Sequence, residues 1–182
     1  ITARWPELRL EIRSDRAMAN FVSDGVDLAV RIGDGNWPGA QVDYLAAPVA
    51  FPVCDPQAMA RLLPSGEWNL SDAVLLEPGD PLWSRWLGGD GRRGAGGLGA
   101  TIVDDSAMLV DAAIEGAGVA LVRSILVQRQ LKAGRLVRLQ KPTTTPMRSY
   151  FAAWPRGSRK ARIIGEFVDW MKREMAASVA EA

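Results

Sequence analysis

The residue types that do covalent chemistry are scarce, and their absence narrows the functions open to this chain. Among 182 residues there is no histidine, which removes Ser-His-Asp and Cys-His mechanisms within the chain, histidine-bearing zinc sites and the side chain best suited to proton transfer near neutral pH. The single cysteine, Cys54, ends the apolar run Phe51-Pro52-Val53-Cys54. No intrachain disulfide is possible, and a buried, inert thiol in a reducing compartment is expected. Binding chemistry is better supplied. Asp104-Asp105-Ser106 opens a helical pattern, and a helix N-terminus presents free N–H groups that favour an anion. Arg31, Gly33 and Asp34 stand where the apolar run from Val26 to Ile32 breaks into Gly33-Asp34-Gly35 and the turn Trp37-Pro38-Gly39. In open α/β sheets ligands sit at such carboxyl ends of strands. Tyr150 offers a hydroxyl inside the apolar segment Ser149 to Trp154. The glycine-rich stretch from Gly88 to Gly99 is expected to be a surface loop, since no strand immediately precedes it as a phosphate cradle requires.

The elements that would position these groups follow from hydrophobic period. Leu8 to Arg13 alternates apolar and charged residues, the pattern of a strand with one wet face. A short helix around Met18 and Phe21 and a buried strand, Asp27 to Ile32, would complete a parallel βαβ unit. Val42 to Cys54 is apolar but broken by Pro48 and Pro52, which confines it to an edge or to a crossing between lobes. Helices are expected from Gln57 to Leu63, from Ser106 to Ile114, after Ser124, and through the last twenty residues. Short buried strands are expected at Ala73 to Glu77, Ala100 to Val103, Val119 to Arg123 and Leu136 to Leu139, with a last strand at Ser149 to Trp154. Alternating strands and helices define an α/β fold.

A hydrophobic content of 48% is ample for a core, and a net charge of +1 argues against a chain that mainly grips nucleic acid or an anionic membrane. The basic cluster Arg156, Arg159, Lys160 and Arg162 is expected to be a solvated helix start. No apolar run reaches the roughly 18 residues of a membrane span. Two proline-marked strands flank a self-contained αβ middle, so the chain is expected to build one lobe, cross to a second and return. Residues 1–50 would form the first part of lobe I, 51–149 lobe II, and 150–182 the return to lobe I with the C-terminal helix. Two lobes joined by two crossing strands leave a cleft, and clefts bind small molecules.

Five segments, EIRSD, GVDLAVRIGDGNWPG, FPVCDP, DDSAMLVDAAIEGAGVALV and LKAGRLVRL, in that order and spacing, resemble the effector-binding domain of LysR-type transcriptional regulators, in particular the subgroup of glycine-cleavage and β-lactamase activators. The resemblance covers residues 5 to 175. It implies a fold like type II periplasmic binding proteins, with two Rossmann-like lobes and an effector site in the interlobe cleft. It also implies a homodimer or tetramer in the cytoplasm, with no cofactor, no catalysis and no membrane. DNA would be bound only through an N-terminal helix-turn-helix domain absent from this chain. A periplasmic-type solute-binding protein of a transporter is the alternative.

Set beside the family, the first strand of lobe I is absent. That strand would lie between Leu8 to Arg13 and Asp27 to Ile32, so either those two pair directly, or another chain fills the gap, or the chain is part of a longer protein. For the site, the resemblance places Ser106 or Asp105 at the pocket, against the plainer reading of Ser106 as a helix N-cap. Tyr150 is either core packing or a donor to the effector. Gly33, Asp34 and Arg31 are expected on one wall and Val53 on the other, with no metal.

Overall fold

The computed structural model describes residues 1, 3–15, 20–21, 23–62, 74–77, 83, 86, 101–139, 145–146 and 148–180. The expected Gly88 to Gly99 loop lies outside the described residues, as does most of the short helix around Met18.

Two sheets share the chain. The first has three strands in the order β1-β9-β2, with β1 at Ala29–Gly33, β2 at Ala40–Ala46 and β9 at Ser149–Pro155. Both neighbours of β9 run antiparallel to it. The second has the order β5-β4-β6-β3-β7, formed by β3 (Val49–Cys54), β4 (Leu75–Glu77), β5 (Thr101–Ile102), β6 (Val119–Arg123) and β7 (Val137–Arg138), with β8 (Thr145–Pro146) also paired to β3. Strands β5, β4 and β6 are parallel, whereas β3 runs against β6.

Helices α1 (Pro56–Leu62), α2 (Ser106–Ile114) and α3 (Gln128–Lys132) accompany the second sheet. Helix α4 (Ala161–Ala180) packs along β2. Its sheet-facing side sets Ile164 and Val168 against Leu45 and Ala152. On α4, Phe167 and Trp170 hold the ring of Trp5, with centroids 5.4 and 5.8 Å away. The second sheet carries one core on each face, around Leu121 and Cys54 on one side and Phe51, Val53 and Leu109 on the other.

The chain passes between the sheets twice. From β2 it reaches β3 through Ala47-Pro48, and it returns from β8 to β9. These passages lie side by side, since Ala46 pairs with Tyr150 and Val49 with Pro146. The prolines fit this course. Pro52 sits in a central strand, yet β8 meets β3 at Val49 and Ala50 while β7 meets it at Val53 and Cys54. At Pro52 the missing donor therefore costs no ladder bond on that side, and its carbonyl accepts from the Leu139 N–H at 3.0 Å.

Two expectations fail. Leu8 to Arg13 forms no strand, so there is no parallel βαβ unit at the start of the chain. Strand β1 is an edge strand rather than a buried central one, and its sole partner among the described residues is the antiparallel β9. Alternation makes a segment able to join a ladder; a neighbouring edge must still be presented to it.

Candidate functional site

The register of the second sheet directs several chemically useful residues to one end. Parallel strands β4, β5 and β6 share their carboxyl ends, and β3 begins at that end because it runs the other way. Arg123, the last residue of β6, pairs with Ala50 immediately after the first passage between sheets. The carboxyl end of β5 leads through Val103 and Asp104 to α2. A 3₁₀ turn at Ser124–Leu126 follows Arg123 and lies against both α2 and α4, so this end of the second sheet approaches the helix of the first.

The first sheet delivers its own residues to the same junction. Gly33 ends β1 opposite Ser149, and Tyr150 sits between Ile32 and Ala46. Asp34 follows in a turn whose shape depends on two glycines. At Gly35 φ is +78°, and an added Cβ would come within 2.7 Å of the Phe151 ring; at Gly33 it would come within 3.0 Å of Trp37. Trp37 meets Phe151 edge-on with centroids 5.7 Å apart, and Tyr44 meets the same ring at 5.8 Å. The tight turn is thus packed over an aromatic cluster.

Electrostatics tie the two sides together. Burial raises the phenol pKa of Tyr150 above its ordinary value, and the Arg123 guanidinium opposes that shift. Arg123 is itself only 7% exposed. Beside it Ser124 and Gln128 are buried, and neither Ser124 Oγ nor Gln128 Nε2 has a hydrogen-bond partner among the described residues. Such buried groups are chemically suited to a polar or anionic partner.

The helix N-terminus differs from the expected arrangement. Asp105, not Ser106, is the N-cap, and its Oδ1 accepts from the N–H groups of Ala107 at 2.8 Å and Met108 at 3.0 Å. Ser106 becomes the first helical residue. A carboxylate therefore already occupies the positive end of α2, and an anion would have to displace or avoid it.

Of the residues expected from sequence, Gly33 and Tyr150 lie at the end of the first sheet where the chain crosses, with Asp34 following Gly33, while Asp105 and Ser106 start α2 beside the second sheet. Val53 is fully buried near the end of β3, opposite Ala120 and Arg138, and belongs to the core. Arg31 lies opposite Phe151, on the sheet face away from Tyr150, and its Nη1 donates to the Asp15 carbonyl at 3.2 Å. Arg123, Ser124 and Gln128 were missed. Their signal was an arginine closing the otherwise apolar strand VALVR, at the carboxyl end where such sheets place ligands.

The remaining candidates are structural. Cys54 is buried, and burial, assisted by the Asp55 charge, pushes its thiol up to about 11. In the basic cluster Arg156 Nε donates to the Ala40 carbonyl, Lys160 pairs with Asp27 at 2.6 Å, and Arg162 pairs with Glu166. Among the described residues no group of three metal-ligating side chains occurs, and no helix is long and apolar enough to cross a membrane.

Comparison with known proteins gives a consistent result. A family model described as the LysR substrate binding domain matches residues 1–176. The glycine cleavage system transcriptional activator of Escherichia coli K12 is 27% identical over 175 residues, covering 95% of this chain and 57% of that protein. The chain thus spans a little over half the length of this curated relative. In fold, the effector domain of the transcriptional regulator AmpR of Pseudomonas aeruginosa superposes with a TM-score of 0.74 at 24% identity, covering 98% of this chain and 86% of that one. The regulatory domain of CrgA, a LysR-type transcriptional regulator from Neisseria meningitidis, does so at 0.70 and 19% identity, covering 96% and 87%.

Proposed function

The chain belongs to the LysR substrate-binding domain family, and from that premise we propose that it is the ligand-sensing part of a bacterial transcriptional regulator, binding a small-molecule effector between its two sheets. The observation that carries this reading is that Gly33 and Tyr150 at the end of the first sheet and buried Arg123 at the end of β6 flank the two passages between the sheets, with Arg123 acting electrostatically on Tyr150. Gly33, Asp34, Tyr150, Ser106, Asp105 and Arg123 form the proposed site. The proposed lobes divide at the two passages, the first sheet with α4 forming one and the second sheet with α1, α2 and α3 the other.

The proposed role is regulatory, with no catalysed reaction, and is exercised in the cytoplasm. The domain works in a homodimer or tetramer and acts on DNA through a helix-turn-helix domain outside this chain. An effector that binds one lobe arrangement more tightly shifts the population toward it. Moving such an equilibrium from 1:99 to 99:1 takes a differential of about 5.5 kcal/mol.

The test is calorimetric titration of the 182-residue chain with a panel of amino acids, aromatic acids and cell-wall peptides. At least one class is expected to bind, with Tyr150→Phe weakening it by about two- to tenfold for the loss of one hydrogen bond. Binding left untouched by Tyr150→Phe and by changes at Asp34 and Ser106 would move the site elsewhere. No binding by any class would overturn the reading.

A further inference from the structure

The carboxyl end of β6 gathers buried hydrogen-bond donors. Arg123 closes that strand, Ser124 follows it in the 3₁₀ turn, and Gln128 opens α3 four residues further on. Arg123 is 7% exposed, Gln128 8% and Ser124 not at all. Among the described residues neither Ser124 Oγ nor Gln128 Nε2 has a hydrogen-bond partner. A guanidinium, an amide nitrogen and a hydroxyl all donate. Buried donors are costly to leave unmade, so the group that completes this cluster is an acceptor, and beside a guanidinium a negatively charged one.

A second place that could favour an anion is already filled. The α2 N-terminus offers N–H groups, but Asp105 Oδ1 accepts from Ala107 and Met108, so an arriving anion meets a carboxylate there. Arg123 stands instead beside the passages between the sheets. It pairs with Ala50, and four residues earlier Ala46 pairs with Tyr150. Four residues of chain span at most about 14 Å, and the Arg123 charge is felt at the Tyr150 phenol. An anion at this point is within reach of both sheets.

We propose that the effector of the preceding reading, on which this inference rests, is a carboxylate whose acid group docks on the Arg123 guanidinium, with Ser124 Oγ and Gln128 Nε2 donating to it and the Tyr150 hydroxyl on the facing side. A guanidinium matches a carboxylate with two parallel N–H bonds, and such bonds are stronger away from water than at the surface. The acid group enters as the sheets part at the passages and holds them at the angle where all the donors reach it. Affinity for the acid is thereby coupled to the angle between the sheets.

The test is calorimetric titration with acids and their own amides: benzoate and benzamide, alanine and alaninamide, alanyl-alanine and its C-terminal amide. At least one acid is expected to bind about ten- to a hundredfold more tightly than its amide. Arg123→Gln brings that acid down to the level of the amide and leaves the amide little changed. Arg123→Lys, which keeps the charge but not the fork, and Gln128→Leu, which removes one donor, each reduce the preference for the acid about two- to tenfold. These two variants carry the test if thermal unfolding shows that Arg123→Gln does not fold, and a preference unchanged in both would overturn the proposal. So would acid and amide weakened alike by Arg123→Gln, the mark of a merely structural arginine. An acid and its amide bound equally, both weakened by Tyr150→Phe, would overturn the carboxylate and leave the sensing site standing. No binding by any of these probes would overturn the proposal together with the reading beneath it.

Discussion

Replacing Gly35 with alanine tests whether the turn carrying Asp34 is held by packing as well as by backbone conformation. Two costs add at this position. The backbone there has φ +78°, a left-handed conformation that costs an L-residue about 1–2 kcal/mol. The new Cβ would also lie 2.7 Å from Phe151 Cε1 and 2.9 Å from Cζ. The ring has little room to retreat, because Trp37 and Tyr44 both pack edge-on against it. Disturbing one such aromatic contact costs roughly 0.5–1.5 kcal/mol, so the total for Gly35→Ala is about 2.5 kcal/mol. Gly39 separates the two costs. Its φ is +83°, but nothing lies within 4 Å of an added Cβ, so Gly39→Ala is expected to cost only the backbone part. Urea unfolding of both variants measures the difference, expected at about 0.5–1.5 kcal/mol. At about 2–4 °C per kcal/mol for a chain of this size, Gly35→Ala melts several degrees below Gly39→Ala. Combining Gly35→Ala with Phe151→Leu should recover part of the loss as a coupling energy. Equal destabilisation by the two alanines, or strict additivity with Phe151→Leu, would refute the packing argument.

Two further predictions concern charge. Asp105→Ala removes a cap that accepts two N–H groups and is expected to cost about 1 kcal/mol, while Asp105→Asn keeps the cap and costs little; thermal unfolding distinguishes them. Because Asn also removes the negative charge at the α2 N-terminus, an acidic effector should bind Asp105→Asn more tightly than the unsubstituted domain, measured by titration. The Cys54 thiol, pushed from 9.0 up to about 11, favours the protonated form in the folded state. Its contribution to stability is fully present below pH about 9 and is lost as the pH rises through about 11. Unfolding free energy should therefore fall over that range and flatten in Cys54→Ala, and thiol reagents at pH 8 should label the folded chain far more slowly than the unfolded one.

Much of this architecture was legible because prolines and glycines carry unambiguous local meaning. Pro48 marked the passage between sheets, whereas Pro52 lies in central strand β3 at a position where neither β7 nor β8 pairs with it. Gly33-Asp34-Gly35 marked the turn at the end of β1. What local pattern could not reveal was pairing between distant segments. Strand β1 pairs with β9, some 120 residues away in sequence, while the parallel unit that short-range alternation suggests fails because Leu8 to Arg13 forms no strand. The exchange of roles between Asp105 and Ser106 has a smaller origin. Both residues cap well and stand one apart, so sequence leaves the helix start uncertain by one position. Following a crossing in sequence does not put Val53 on the cleft, because β3 has by then run between β6 and β7 and buries it fully. Arg123 was readable but unread: a charge at the end of a buried apolar strand is costly unless it is held by a partner.

The passages between the sheets also bear on how a bound effector would be felt. The ladder on the first sheet's side ends at Ala46 opposite Tyr150, after a register irregularity between Tyr44 and Ala46. On the second sheet's side it resumes at Val49 opposite Pro146. Between these pairs lies Pro48, and Pro146 stands at the boundary, so neither residue can donate a backbone bond across the ribbon. A change in the angle between the sheets at this point would break few hydrogen bonds, which makes bending there inexpensive. Tyr150 and Arg123 stand on opposite sides of that bend and already interact electrostatically. A ligand that takes the tyrosine hydroxyl and the arginine together therefore contacts both sides of the hinge, and its differential affinity for two hinge angles is the quantity that a regulator of this design has to supply.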